Sequence, residues 1–253
     1  MIRHVALALL VSLALPAQTV RVIKFSEAIA FRMGRVTSNR IVHPDMGAKN
    51  ITLNYSTTGP GDEFAQHTHG DSDDTILILQ GAGDMRQGES RRPFSQGQSA
   101  WVPGGQIHGT ITTQPDTHMI SFQTPPDLIL YTGARDSSRP GAAPPKGLIT
   151  PGAIQYFDFA GKNGLFAHPG TGAPRIAAAH YKLRPGEKLP VSVAAGAEMV
   201  LFVWKGSITV SAQGARHQAA ATDAVFARGP ASFEVVSTGE SVVIQAQAPP
   251  PTH

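Results

Sequence analysis

The apolar positions of this chain come in short runs, broken by glycine, proline and small polar residues. Examples are "KNITLNYSTT" (49–58), "TILILQGAGDM" (75–85), "QSAWVPG" (98–104) and "THMISFQT" (117–124). Runs of this length between turn formers predict β-strands, and many of them in series predict an all-β sandwich or barrel. "TILIL" (75–79) and "VLFVW" (200–204) are apolar on both faces, so both strands need cover from two sides. Helical periodicity is absent beyond the N-terminus. There, "MIRHVALALLVSLALPA" has a basic start at Arg3 and an apolar run from Val5 to Leu15. That run is too short to span a bilayer, which takes about 20 residues. It reads as a secretory signal peptide over residues 1–17, which predicts a periplasmic or secreted protein with no membrane association after cleavage.

The pattern also repeats. At a constant offset of 125, "HPDMGAKNI" (43–51) meets "HPGTGAPRI" (168–176), and "TILILQG" (75–81) meets "VLFVWKG" (200–206). "SAWVP" (99–103) meets "AVFAR" (224–228) without a gap. Internal repetition on this scale predicts two similar domains, 19–132 and 151–248. The Gly-, Pro- and Ala-rich stretch 133–150 reads as a linker.

Composition narrows the chemistry. The 253 residues include no cysteine, which excludes disulfides, thiolate metal sites and thiol nucleophiles. Lys and Arg number 21 against 18 Asp and Glu, and no basic stripe is evident, so no nucleic-acid partner is expected.

The candidate chemistry lies in "HTHGDSDD" (67–74). His67 and His69 at i and i+2 point the same way only in an extended chain. His108 follows in "VPGGQIHGT", and three imidazoles with an acid form a ligand set for a divalent metal. Asp73 and Asp74 are both candidate acids, and strand parity does not separate them.

These residues stand in two motifs: "GDEFAQHTHGDSDDTILILQG" (61–81) and "GQSAWVPGGQIHGTIT" (97–112). They resemble the paired signatures of the cupin superfamily, G-x5-H-x-H-x3/4-E-x6-G and G-x5-P-x-G-x2-H-x3-N. The usual Glu is Asp74 here, selected by its interval to Gly81, and the usual terminal Asn is Thr112. The resemblance implies two tandem double-stranded β-helix (jelly-roll) barrels. It also implies a metal site at His67, His69, Asp74 and His108, with Asp74 as ligand or outer-sphere base. A homodimer is plausible on the same grounds. At the offset of 125 the four ligand positions become Ser192, Ala194, Met199 and Phe233, so the second barrel is expected to be degenerate and filled. The shared "HPxxGA" then reads as a backbone device rather than a catalytic one.

Three neutral imidazoles and one carboxylate suit Fe, Mn, Ni or Zn as the divalent ion, with coordination positions left for a small-molecule substrate. Trp101, Phe64, Ile76, Ile78 and Phe122 are candidate pocket walls. By resemblance, an oxygenase on a small aromatic or enolic molecule is the first expectation. A cupin isomerase or lyase, or a non-catalytic binder of a sugar or acid, are the alternatives.

Overall fold

The computed structural model describes residues 19–33, 35–131, 147–161 and 163–252. The expected signal peptide and residues 133–146 of the expected linker lie outside these. Apart from the short helix Leu128–Tyr131 and three 3-10 turns, the regular structure among the described residues is β-strand.

The strands form two jelly-roll barrels, each a large sheet packed on a four-stranded one. In the first barrel, Asp73–Gln80 lies between Gln98–Val102 and Thr117–Thr124 in a seven-stranded sheet. The facing four-stranded sheet carries Glu63–His67 beside His108–Thr112. In the second barrel, Glu198–Lys205 lies between Ala224–Arg228 and Ser241–Ala248, and Lys188–Val193 pairs with Ala231–Ser237.

The two-sided apolar strands have the cover that their sequence requires. Leu77 and Leu79 pack with Phe122, Phe202 and Ile244 in a core shared by the two barrels. Ile76 and Ile78, on the opposite face, pack with Met85 and Phe94 inside the first barrel. Val200 and Phe202 likewise face the shared core, whereas Leu201 and Val203 fill the second barrel. Each such side chain contributes about 1.5–3 kcal/mol on burial.

Each sequence half lends its first strand to the other barrel. Val20–Ile23 pairs antiparallel with Ala224–Arg228, from Val20 opposite Ala227 to Ile23 opposite Ala224. Reciprocally, Gln155–Asp158 pairs with Gln98–Val102. Asp223 pins the first crossing: Lys24 Nζ lies 2.9 Å from its Oδ2, and the Phe25 amide donates to its Oδ1 at 2.9 Å. The barrels and the sequence halves 19–132 and 151–248 therefore differ by these exchanged strands.

The repeated "HPxxGA" is the same backbone device twice. A 3-10 turn at Pro44–Met46, and again at Pro169–Thr171, ends on a left-handed glycine, Gly47 (φ 91°) or Gly172 (φ 94°).

Candidate metal centre

A β-bulge builds the site. In the small sheet of the first barrel, His108 lies opposite His67, but Thr110 lies opposite Phe64. One residue on one strand, Gly109, thus faces two on the other, Ala65 and Gln66, and the extra residue bends the strand where the histidines begin. Gly109 sits at the irregularity. A Cβ there would come within 2.6 Å of the Phe64 carbonyl oxygen and 3.0 Å of the Gln66 amide nitrogen, so only glycine permits the approach. The bend also brings the Ala65 carbonyl within 2.7 Å of His67 Nδ1.

All three imidazoles are buried and converge. His67 and His69 Nε2 are 3.0 Å apart, and one ligand nitrogen from each of His67, His69 and His108 falls within 4.8 Å of the others. Each Nδ1 has an acceptor of its own. His67 has the Ala65 carbonyl, His108 has the Gln106 carbonyl at 3.2 Å, and His69 has Asp127 Oδ2 at 2.9 Å. A proton on each Nδ1 leaves Nε2 as the free lone pair, the tautomer that a metal ligand requires. His108 Nε2 is buried with no hydrogen-bond partner, as is Asp74 Oδ1. Orphaned polar atoms this deep call for a partner, and the N-and-O donor set fits a first-row divalent ion.

Asp74 and Asp73 part company here. Asp74 Oδ2 stands 3.5 Å from His69 Nε2 and 3.6 Å from His108 Nε2, on the rim of the three-histidine set. Asp73 turns away, accepting from the Gly104 amide at 2.9 Å and lying 3.5 Å from Arg175 of the other half. Its counterpart at offset 125, Glu198, likewise bridges the halves by accepting from the Lys49 and Asn50 amides at 2.8 and 2.7 Å.

The electrostatics follow from burial and neighbours. Burial, with His108 and His69 alongside, pushes the His67 imidazole well below its ordinary pKa. For His69 burial acts the same way, but Asp127 and Asp74 outweigh it and raise the value. Burial alone would raise the Asp74 carboxyl; the His108 and His69 imidazoles beside it instead hold it well below the usual carboxylate range.

Asp127 has no signature in the sequence. It lies 58 residues from His69, in the segment after the last strand of the barrel, where its Oδ1 also accepts from the Ile129 amide at 3.1 Å. The one local hint is an acid just ahead of the short helix Leu128–Tyr131, the usual place for an N-terminal cap.

The site opens into a cavity of about 60 Å³. Of the expected walls, Phe64 and Ile76 line it, together with Phe31, Met119 and Leu130. Trp101 and Phe122 do not. Both pair with Thr75, one residue out of phase with Asp74, so both face the shared core. Ile78 lies on the inner face but is packed against Met85 and Phe94 below the cavity.

Among the described residues, the second barrel has no such site. Its small sheet pairs Phe233 with Val191 and continues without a bulge. The structural counterparts of His67 and His69 are therefore Val191 and Val193, not Ser192 and Ala194. The one-residue difference is returned in the following turn, which hides it from an ungapped comparison. Val191, Val193, Met199 and Phe233 pack together in the filled interior.

Known proteins share this fold. The family model described as "Cupin domain" matches residues 54–121. No curated protein matches the chain. Among solved structures, the bacterial pirin YhhW of Escherichia coli, in complex with nickel(II), superposes with a TM-score of 0.69 at 16% identity, covering 92% of this chain and 100% of that one. Protein Ylba of E. coli gives a TM-score of 0.71 at 8% identity, covering 95% of each chain. Bacillus subtilis oxalate decarboxylase, studied for its Mn(II) centres, gives 0.68 at 10% identity, covering 95% of this chain and 79% of its own. At these identities the likeness establishes the fold. Residues 54–121 match the cupin-domain model, and the chain as a whole shares the two-barrel fold of these structures.

Proposed function

We propose that this protein is a divalent-metal-dependent cupin oxygenase that cleaves a small enolisable carbonyl compound. One observation carries the metal assignment: three buried imidazoles present Nε2 to a common point while each Nδ1 is engaged elsewhere. A bound divalent ion would polarise the substrate carbonyl and bring it together with dioxygen.

The chain's own residues supply the rest. Asp74, ionised beside the histidines, takes the proton from the carbon next to the carbonyl. Phe64, Ile76, Met119 and Leu130 keep bulk water from the carbanion that results. The volume argues for a small substrate. About 60 Å³ of space beside the ligands suits a small molecule. Export to the periplasm, suggested by the N-terminal sequence, is part of the same proposal.

The test is oxygen uptake by protein reconstituted separately with Fe(II), Mn(II), Ni(II) and Zn(II), across a panel of small hydroxyketones and diketones. The expected result is uptake with at least one metal and one compound class, lost in Asp74→Asn at full metal content. Tight metal binding with no uptake across the panel would favour a non-catalytic binder.

A further inference from the structure

Two side chains in the cavity have no assigned task. Asn54 and Gln123 are 5% and 2% exposed, and both line the cavity beside the metal centre. Gln123 is the cross-strand neighbour of Asp74 on the inner face. No hydrogen bond satisfies its carboxamide oxygen, and the same is true of Asn54, whose nitrogen makes a single 3.4 Å contact with the Tyr131 hydroxyl. Leaving a buried carboxamide unsatisfied typically costs more than a hydrogen bond returns, so such groups in a binding cavity point to a ligand that completes them.

The rest of the lining narrows that ligand. Among the described residues, no lysine or arginine lines the cavity. The bound ion would be its only cation, and with Asp74 ionised it would carry one net positive charge. A chelate with one negative charge is matched; a dianion is not. The two unsatisfied atoms are carboxamide oxygens, which accept, so the pair suits a hydroxyl head, a donor, rather than a carbonyl or a methyl.

We infer that Asn54 and Gln123 form the specificity subsite of the metal centre, and that it selects small, neutral α-hydroxy ketones which chelate the metal as monoanions. This rests on the metal reading above. Asn54 is held in place from behind. Its neighbour Tyr131 stacks on Arg40 (4.7 Å from guanidinium to ring centroid), and the Arg40 guanidinium also donates to the Leu130 carbonyl at 2.9 Å and lies 4.2 Å from the Phe31 ring. That clasp fixes the strap Leu128–Tyr131 against the cavity mouth and sets the position from which Asn54 reads the ligand. Within the reaction proposed, an α-hydroxy ketone and one O2 give two carboxylic acids: the carbon–carbon bond between the carbonyl and carbinol carbons breaks, and each fragment gains one oxygen atom.

The test measures binding without oxygen. Zn(II)-loaded protein is titrated anaerobically with hydroxyacetone and with 2,3-butanedione, a metal chelator of similar size that lacks the hydroxyl. The wild type should prefer hydroxyacetone by roughly tenfold or more, as one well-placed hydrogen bond to a buried group implies. The near-isosteric variants Gln123→Met and Asn54→Leu should each reduce that preference severalfold while retaining one zinc per chain. Equal affinity for the two probes in the wild type, or an unchanged preference in both variants, overturns the inference. Failure of the wild type to hold zinc would instead overturn the metal reading on which it rests.

Discussion

The small sheets of the two barrels share one strand plan and differ by one inserted residue in one strand. In the first, the bulge between Phe64 and His67 bends the chain, supplies the Ala65 carbonyl to His67 Nδ1 and requires Gly109 opposite. In the second, the strand runs straight, and the position of Gly109 is held by Glu234, which pairs with Pro190. A metal site thus depends on local backbone geometry as well as on ligands. The second barrel has replaced both, substituting valines, methionine and phenylalanine for the polar set.

The sharpest break in this comparison comes from the ligands. His67→Ala or His108→Ala should reduce metal content from one per chain to near zero while the far-ultraviolet circular dichroism remains that of a β protein. Normal metal content in both variants would remove the site altogether. The reciprocal change, Phe233→Ala, should cost roughly 3–5 kcal/mol of stability in denaturant titration, because it opens a cavity in a packed interior. Metal content should not change; a loss would mean that the second barrel is not the inert twin described here.

The next change tests the bulge itself. Gly109→Val drives a branched side chain into the Phe64 carbonyl and should destabilise the protein by about 1–3 kcal/mol, as overpacking does. It should also weaken metal binding, since the strand that carries His67 must move. Wild-type affinity would separate the bulge from the site. Asp127→Asn keeps the shape but weakens the hold on His69 Nδ1, and metal affinity should drop by roughly 10- to 100-fold in a competition titration.

The smallest effect is expected at the strand exchange. Burial favours protonation of Asp223, but the Ala220 and Phe25 amides and Lys24 outweigh it and lower its pKa. A lowered carboxylate stabilises the fold above its unfolded value, near 3.9, and that contribution disappears as pH falls through the folded value. Asp223→Asn should therefore lower the melting temperature slightly at pH 7 and make the acid limb below pH 4 shallower. Parallel melting profiles for the two proteins would show that the exchange does not depend on this ion pair.

Much of this was legible in the sequence because strands, turns and ligands all obey short-range spacing. Interruption by glycine and proline predicts the strands, the two-sided apolar runs predict strands covered on both faces, and the histidine spacing anticipates a convergent set. What escaped was anything set by a third partner. Asp127 reaches His69 across 58 residues with no fixed interval to mark it. Trp101 and Phe122 are as apolar as true cavity walls, and only the register opposite Thr75 sends them to the other face. The true counterparts of the histidines were hidden because a bulge in one copy is offset by a longer turn in the other, and an ungapped comparison cannot see two changes that cancel.

The exchanged strand Val20–Ile23 also has a consequence for synthesis. Its partner Ala224–Arg228 emerges about two hundred residues after it. At translation rates of roughly 5–20 residues per second, the earlier segment waits on the order of ten to forty seconds for its place in the sheet. A chain truncated ahead of Ala224 would leave that segment without its partner, and one lacking Val20–Ile23 would leave the strand Ala224–Arg228 with an unpaired edge, open to association with another molecule.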